Sequence, residues 1–136
     1  MKTILIDLNI IIDFLDDRTG SEKAGELFTK CLRNEIKGYV CAHEITTLAY
    51  FLEKSGKNKN ERRKIISKIL FLFDVIEIGK SLLEKAVFSN ITDYEEAVIV
   101  EAAKEKKMDC IIARNIKDFK NSSVPVLLPE DYLLRK

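Results

Sequence analysis

The run Thr3-Ile4-Leu5-Ile6-Asp7-Leu8-Asn9 decides how this chain is read. Its aliphatic and β-branched residues predict a strand over Thr3 to Asp7, with an acid standing where the first apolar segment ends. An aspartate between two apolar segments is costly to bury unless it is paired, hydrogen-bonded or bound to an ion. In an open α/β sheet the carboxyl ends of the strands are where ligands collect, and Asp7 would stand at such an end. The alternative is that Asp7 only caps the helix that follows. Capping would leave the chain's other well-spaced acids unexplained.

Outward from this run, short β-branched segments alternate with longer helical ones, the signature of a parallel sheet covered by helices. Strands are predicted at Thr3 to Asp7, Tyr39 to Cys41, Val75 to Ile78, Asp109 to Ala113 and Val124 to Leu127. Helices are predicted at Ser21 to Ile36, Glu44 to Lys54, Asn58 to Phe73, Ser81 to Phe88 and Asp93 to Lys107. In the second of these, Ile45, Leu48, Ala49 and Leu52 fall at the offsets of one apolar face. Gly20, Gly38, Gly56 and Gly79 fall in connections. The expected fold class is α/β, a three-layer α/β/α sandwich around a central, mostly parallel five-stranded sheet. A length of 136 residues without linker or repeat reads as a single domain, 1–136, able to bury its own core.

Composition narrows the classes. With 46% hydrophobic and 33% charged residues and a formal net charge of +1, the chain is neither disordered nor membrane-spanning, and charge alone names no partner. No secretory signal precedes the first strand, which predicts a cytoplasmic protein that does not enter a membrane. Cys31, Cys41 and Cys110 are odd in number and set in apolar surroundings, and His43 is the one histidine, so disulfide frameworks and Cys/His zinc sites are excluded as expectations.

Four segments in order resemble the PIN domain, in particular the VapC-type toxins of toxin–antitoxin pairs. They are Leu5-Ile6-Asp7-Leu8-Asn9, then Val40-Cys41-Ala42-His43-Glu44-Ile45-Thr46-Thr47-Leu48, then Asp93-Tyr94-Glu95-Glu96-Ala97, and finally Ile112-Ala113-Arg114-Asn115-Ile116-Lys117-Asp118-Phe119. The close Val126-Leu127-Leu128-Pro129-Glu130-Asp131-Tyr132-Leu133 adds a Pro-Glu-x-hydrophobic ending that the family often shows. The resemblance spans nearly the whole chain, so the domain is expected to be PIN-like. It implies an endoribonuclease that hydrolyses RNA phosphodiester bonds with Mg2+ or Mn2+, acting as the toxin of a pair. Such chemistry asks for acids because a few carboxylates converging on a hard divalent ion orient an attacking water and offset the charge of the departing oxygen.

By this resemblance Asp7 is the central ligand, with Asn9 hydrogen-bonding the carboxylate or a bound water, a residue that equally suits a turn. Asp93 and Glu96 face the site one helical turn apart, and a capping box explains the same spacing. Asn115 and Asp118 follow the fourth strand at the same sheet edge, giving a metal set of Asp7, Asp93, Glu96, Asn115 and Asp118. The chain departs from the family where relatives carry glutamate and this sequence has Thr47, and Glu96 replaces a more common aspartate. Glu44, one turn before Thr47, either takes over the missing role or is an ordinary first-turn acid. The catalytic acids expected are therefore Asp7, Glu44, Asp93 and Glu96, supported by Asn9 and Thr47.

The stretch Lys54, Lys57, Lys59, Arg62, Arg63, Lys64 and Lys68 is the densest in positive charge and reads either as a solvated helix face or as a hold on an RNA backbone. Lys57, Arg62, Arg63 and Arg114 are the candidate RNA contacts. His43 reads as a packing or helix-start residue. The resemblance also implies a homodimer that binds a small antitoxin, and Ile11, Ile12, Phe14, Leu27 and Phe28 look like surplus apolar surface for such contacts. Two other readings stand beside this one. A noncatalytic PIN scaffold binding RNA or protein would fit Thr47 and Asn115, and a haloacid-dehalogenase-type phosphotransferase would need an aspartate where Asn9 stands.

Overall fold

The computed structural model describes residues 1–135. Its strands are β1 (Thr3–Ile6), β2 (Lys37–Cys41), β3 (Asp74–Ile76), β4 (Cys110–Ile112) and β5 (Val126–Leu127). Its helices are α1 (Leu8–Leu15), α2 (Ser21–Leu32), α3 (Ala42–Lys54), α4 (Lys59–Leu72), α5 (Lys80–Val87), α6 (Tyr94–Glu105) and α7 (Pro129–Leu134), with a single 3-10 turn at Ile116–Phe119. The strands form one sheet in the order β3-β2-β1-β4-β5, and every neighbouring pair is parallel. The expected sandwich is therefore present, with a sheet that is wholly rather than mostly parallel.

The strand sequences explain the layering. Successive strand side chains point to opposite faces, and a parallel sheet covered on both sides wants both sets apolar. In β1, Ile4 and Ile6 pack into one core with residues of α1, α2, α3 and α4, while Leu5 packs into the other with residues of α5 and α6. Val40 and Cys41 divide the same way, as do Ile112 and Ile111. β1 is central, and its Ile4, Leu5 and Ile6 are wholly inaccessible to solvent. Full burial of each such side chain contributes about 1.5–3 kcal/mol, so the strand that carries Asp7 is anchored on both faces.

Differences from expectation have local causes. α2 ends at Leu32 rather than Ile36 because Asn34 adopts φ 60° and the chain turns, with the Glu35 N–H donating to the Lys30 carbonyl. Gly38 lies inside β2 rather than in a connection. A Cβ there would lie 2.7 Å from the Phe73 ring and 2.9 Å from the Cys31 sulfur, so the strand and α2 approach only because the side chain is absent. Ile11, Ile12, Leu27 and Phe28, expected as surplus surface, are buried in the core that α1 and α2 share with the sheet. Of that group only Phe14 is exposed. No helix among the described residues is long and apolar enough to cross a membrane.

Candidate functional site

The strand order reverses direction of travel between β1 and β4, and in such sheets the crevice at the carboxyl ends of those two strands is the natural ligand position. Asp7 stands there. Its backbone N–H donates to the Ile112 carbonyl at 2.9 Å, which pins the residue between the two strands. Its carboxylate caps α1 only loosely, accepting from the Asn9 N–H at 3.4 Å, and the residue is 4% exposed. Capping and site occupancy thus coincide, yet one long hydrogen bond does little to offset burial. Burial pushes the Asp7 carboxyl up to about 6, against the amide of Asn9 and the guanidinium of Arg114, which hold it down.

Beneath it lies Glu44, 3% exposed in the first turn of α3. One carboxylate oxygen accepts from the Leu8 N–H at 2.5 Å and the other from the Cys41 N–H at 3.0 Å. The side chain therefore straps the start of α1 to the end of β2 and places a second acid against Asp7. Burial, then repulsion from Asp7, raises its carboxyl well above the ordinary range. Thr47, one turn on, lines the same cleft, and its hydroxyl donates to the His43 carbonyl of its own helix at 3.2 Å.

The third wall is the start of α6. Asp93 is its exposed N-cap, accepting from the Glu96 N–H at 3.1 Å. Glu96 is half-buried, and burial, the facing Asp93 carboxyl and the charges of Asp7 and Asp118 raise it to about 8. Asp93 moves the opposite way, held low by the Glu96 carboxyl and amide that hydrogen-bond its charged form. Glu95, which sequence reasoning did not single out, lines the cleft and adds its charge to Asp7, Glu44 and His43. The signal was available: Glu95 is in the first turn of the same helix, where side chains fan around the N-terminus.

The cleft has a volume of about 300 Å³ and runs from these acids between α1 and α3, past Asn9 and Ile12 to Tyr50, Phe51 and Lys54. His43 lines it, and its two ring nitrogens are buried without a hydrogen-bond partner. Burial lowers its pKa. Asn115 and Asp118 are exposed at the 3-10 turn after β4, and only the charge of Asp118 reaches Glu96. Arg114 donates to the buried Asp13 on α1 and lies near enough to lower Asp7, but it borders a neighbouring cavity. Lys57, Arg62 and Arg63 lie at or before the start of α4, off the cleft, with Arg62 donating to the Lys57 carbonyl at 2.7 Å. The basic residue that does line the cleft is Lys54.

By chemistry the donors fit a hard divalent cation: they are all-oxygen carboxylates, raised first by burial and then by one another's charge. Among the described residues, no three His, Cys, Asp or Glu side chains converge closely enough to cage an ion by themselves. Magnesium characteristically keeps several waters and takes one or two protein carboxylates, and the carboxylates lining this cleft are Asp7, Glu44, Glu95 and Glu96.

The fold agrees with what the chain is similar to. Among solved structures, a toxin–antitoxin complex from Klebsiella pneumoniae is 21% identical, with 93% of this chain and 97% of that chain covered at a TM-score of 0.70. FitAcB from Neisseria gonorrhoeae is 17% identical, with coverages of 93% and 98% and the same TM-score, 0.70. VapBC2 from Rickettsia felis, bound to a DNA fragment from its promoter, is 16% identical, with coverages of 92% and 96% and a TM-score of 0.65. At these identities the likeness is one of fold. No curated protein sequence matches the chain. The model of the PIN domain family matches residues 3–117, from β1 through β4 to the turn beyond it, and the chain belongs to that family.

Proposed function

We propose that the chain is an endoribonuclease dependent on Mg2+ or Mn2+ and the toxin of a toxin–antitoxin pair. The observation that carries this reading is the pair of almost inaccessible carboxylates, Asp7 and Glu44, held at the sheet's switch point beside Glu96. Buried, crowded acids in a cleft are costly to the fold and characteristic of functional sites. Asp7 and Glu96 would hold the cation, with Asp93, Asn115 and Asp118 at the rim. The ion would offset the charge that builds on the phosphate and lower the pKa of an attacking water. Glu44 keeps the start of α1, and so Asp7, at a fixed distance from β2, while Asn9 orients the Asp7 carboxylate through its amide.

The Klebsiella toxin–antitoxin complex supports the toxin reading and, with it, a small antitoxin as partner. Phe14, Leu32 and Phe71, exposed on α1, α2 and α4 around one shallow groove, offer apolar surface for that protein or for a second copy in a homodimer. A second reading, a noncatalytic PIN module that binds RNA or protein, draws on Thr47 where the family has glutamate and on acids that do not by themselves cage an ion. Cleavage of total RNA in magnesium, in manganese and in chelator, by the chain and by Asp7→Asn, separates the two. Cleavage that needs the ion and Asp7 supports the ribonuclease. Cleavage indifferent to chelator overturns it, and no cleavage under any condition leaves the noncatalytic module.

A further inference from the structure

The acids occupy one end of the cleft, and the other end has a different chemistry. His43, Thr47, Tyr50 and Lys54 follow one another along α3 at intervals of four, three and four, the spacing of a single helix face, and all four line the cleft. The opposite face of α3 is fixed in the core by Leu48 and Leu52, at most 2% exposed, so the lining face has a set orientation. Tyr50 nevertheless leaves 61% of its surface open, and the Lys54 ammonium sits 5.4 Å from the centre of its ring. A large flat ring bordering a cleft, with a cation over one face, matches what single-stranded nucleic acid requires: the other π-face for one base and a positive charge for the neighbouring phosphate.

We propose that Tyr50 and Lys54 form a subsite for one unpaired nucleotide, its base stacked on the face of the Tyr50 ring opposite the ammonium and its phosphate on the Lys54 ammonium, at the end of the cleft away from Asp7. The subsite rests on the ribonuclease reading and adds to it which strand geometry the cleft accepts. A paired base has both faces covered by its neighbours and cannot reach the ring without leaving its stack. The acid end repels a phosphate chain, whereas Lys54 is the one basic side chain lining the cleft among the described residues.

The test measures binding of a short labelled RNA at several salt concentrations with magnesium present, in an Asp7→Asn background so that turnover does not intrude. Tyr50→Ala should weaken binding about ten-fold, and Tyr50→Phe should bind within about two-fold of the parent because the ring, not the hydroxyl, does the stacking. Lys54→Gln should flatten the dependence of log affinity on log salt by about 0.7, the value of one single-strand phosphate contact. The same RNA annealed to its complement should bind about ten-fold more weakly. An abasic nucleotide moved along the RNA should cost the parent about ten-fold at one position and cost Tyr50→Ala nothing further there. Tyr50→Ala binding like the parent, equal binding of duplex and single strand, or no binding by the parent overturns the subsite. Ring-dependent binding without cleavage by the wild type would sink the ribonuclease alone. Cleavage by the wild type with Tyr50 indifferent would sink the subsite alone.

Discussion

Asp7 and Asp109 stand at opposite ends of two neighbouring strands, Asp7 at the carboxyl edge just after β1 and Asp109 at the amino edge just before β4. Both accept a backbone N–H. Asp109 is exposed and receives the Thr3 N–H at 2.8 Å, a good bond that ties the starts of two neighbouring strands. Asp7 is buried and receives the Asn9 N–H at 3.4 Å. The cavity at the Asp109 edge is also the larger, about 610 Å³ against about 300 Å³, lined by Lys2, Lys30, Tyr132 and Arg135. Volume therefore does not locate the site. An exposed, well-bonded acid does structural work at little cost, whereas a buried, poorly bonded one destabilises the fold and persists where something else requires it.

Neutralising each acid in turn should have very different effects. Asp7→Asn should lower RNA cleavage by roughly a thousand-fold, since it removes the central charge that positions ion and water, while stabilising the ion-free protein by relieving a buried carboxylate. Asp109→Asn should leave the cleavage rate within about two-fold. Rates on one RNA, with urea unfolding of each variant, check both halves. Equal losses would show that the two edges do not differ in function.

A smaller effect is expected at Glu44. Glu44→Gln sets an amide NH2 against one of the two backbone donors, from Leu8 or Cys41, and should cost about 1–3 kcal/mol of stability. It should also weaken metal affinity, because the start of α1 that carries Asp7 loses its strap. Unfolding free energy and a metal titration measure the two consequences. Wild-type stability and affinity in this variant would reduce Glu44 to a first-turn acid.

How far the sequence revealed these differences depends on the element. The sheet was legible because parallel strands buried on both faces appear as unbroken apolar runs such as Ile4-Leu5-Ile6 and Cys110-Ile111-Ile112. The short α1 and α7, of eight and six residues, were not delimited, since so few turns give little periodicity. Phe28 and Leu27 were misjudged as surface because an apolar helical stripe does not reveal whether a sheet or a partner covers it. Asp7 was legible as an acid in an apolar setting, and Glu44 only by its place one turn before Thr47. Glu95 was passed over although its place in the first turn of α6 was legible, because a capping-box spacing draws attention to Asp93 and Glu96 and away from the two residues between them.

The acids at the Asp7 edge should also respond to pH. A carboxyl raised above its unfolded value binds its proton more tightly when folded, so the stability it contributes falls as pH rises. For Asp7 the loss runs from about 4 to beyond 6, and Glu96 extends it toward 8. A divalent cation replaces the lost protons. The rise in melting temperature on adding magnesium should therefore grow between about pH 5 and pH 8, and it should shrink in Asp7→Asn. Scanning fluorimetry across that range checks it, and a rise that is independent of pH would place the ion away from these acids.

The smallest effect belongs to Thr47, the residue that departs most plainly from the family. Its hydroxyl donates to the His43 carbonyl, which the helix backbone also uses, so removing it leaves no buried donor without a partner. Alanine has the higher helix propensity, by up to roughly 0.7 kcal/mol, which offsets the lost contact of a half-buried methyl group. Thr47→Ala should therefore keep stability within about 0.5 kcal/mol and cleavage within about two-fold of the wild type. Thr47→Glu adds a carboxylate one turn beyond Glu44 on the same cleft wall, and should tighten metal binding and raise the rate while lowering stability in chelator. The contrast between the two substitutions is informative because they act at one position on opposite quantities. If Thr47→Ala lost cleavage as Asp7→Asn does, the hydroxyl itself would be holding water or substrate, and the weight placed on Glu44 would move one turn along α3.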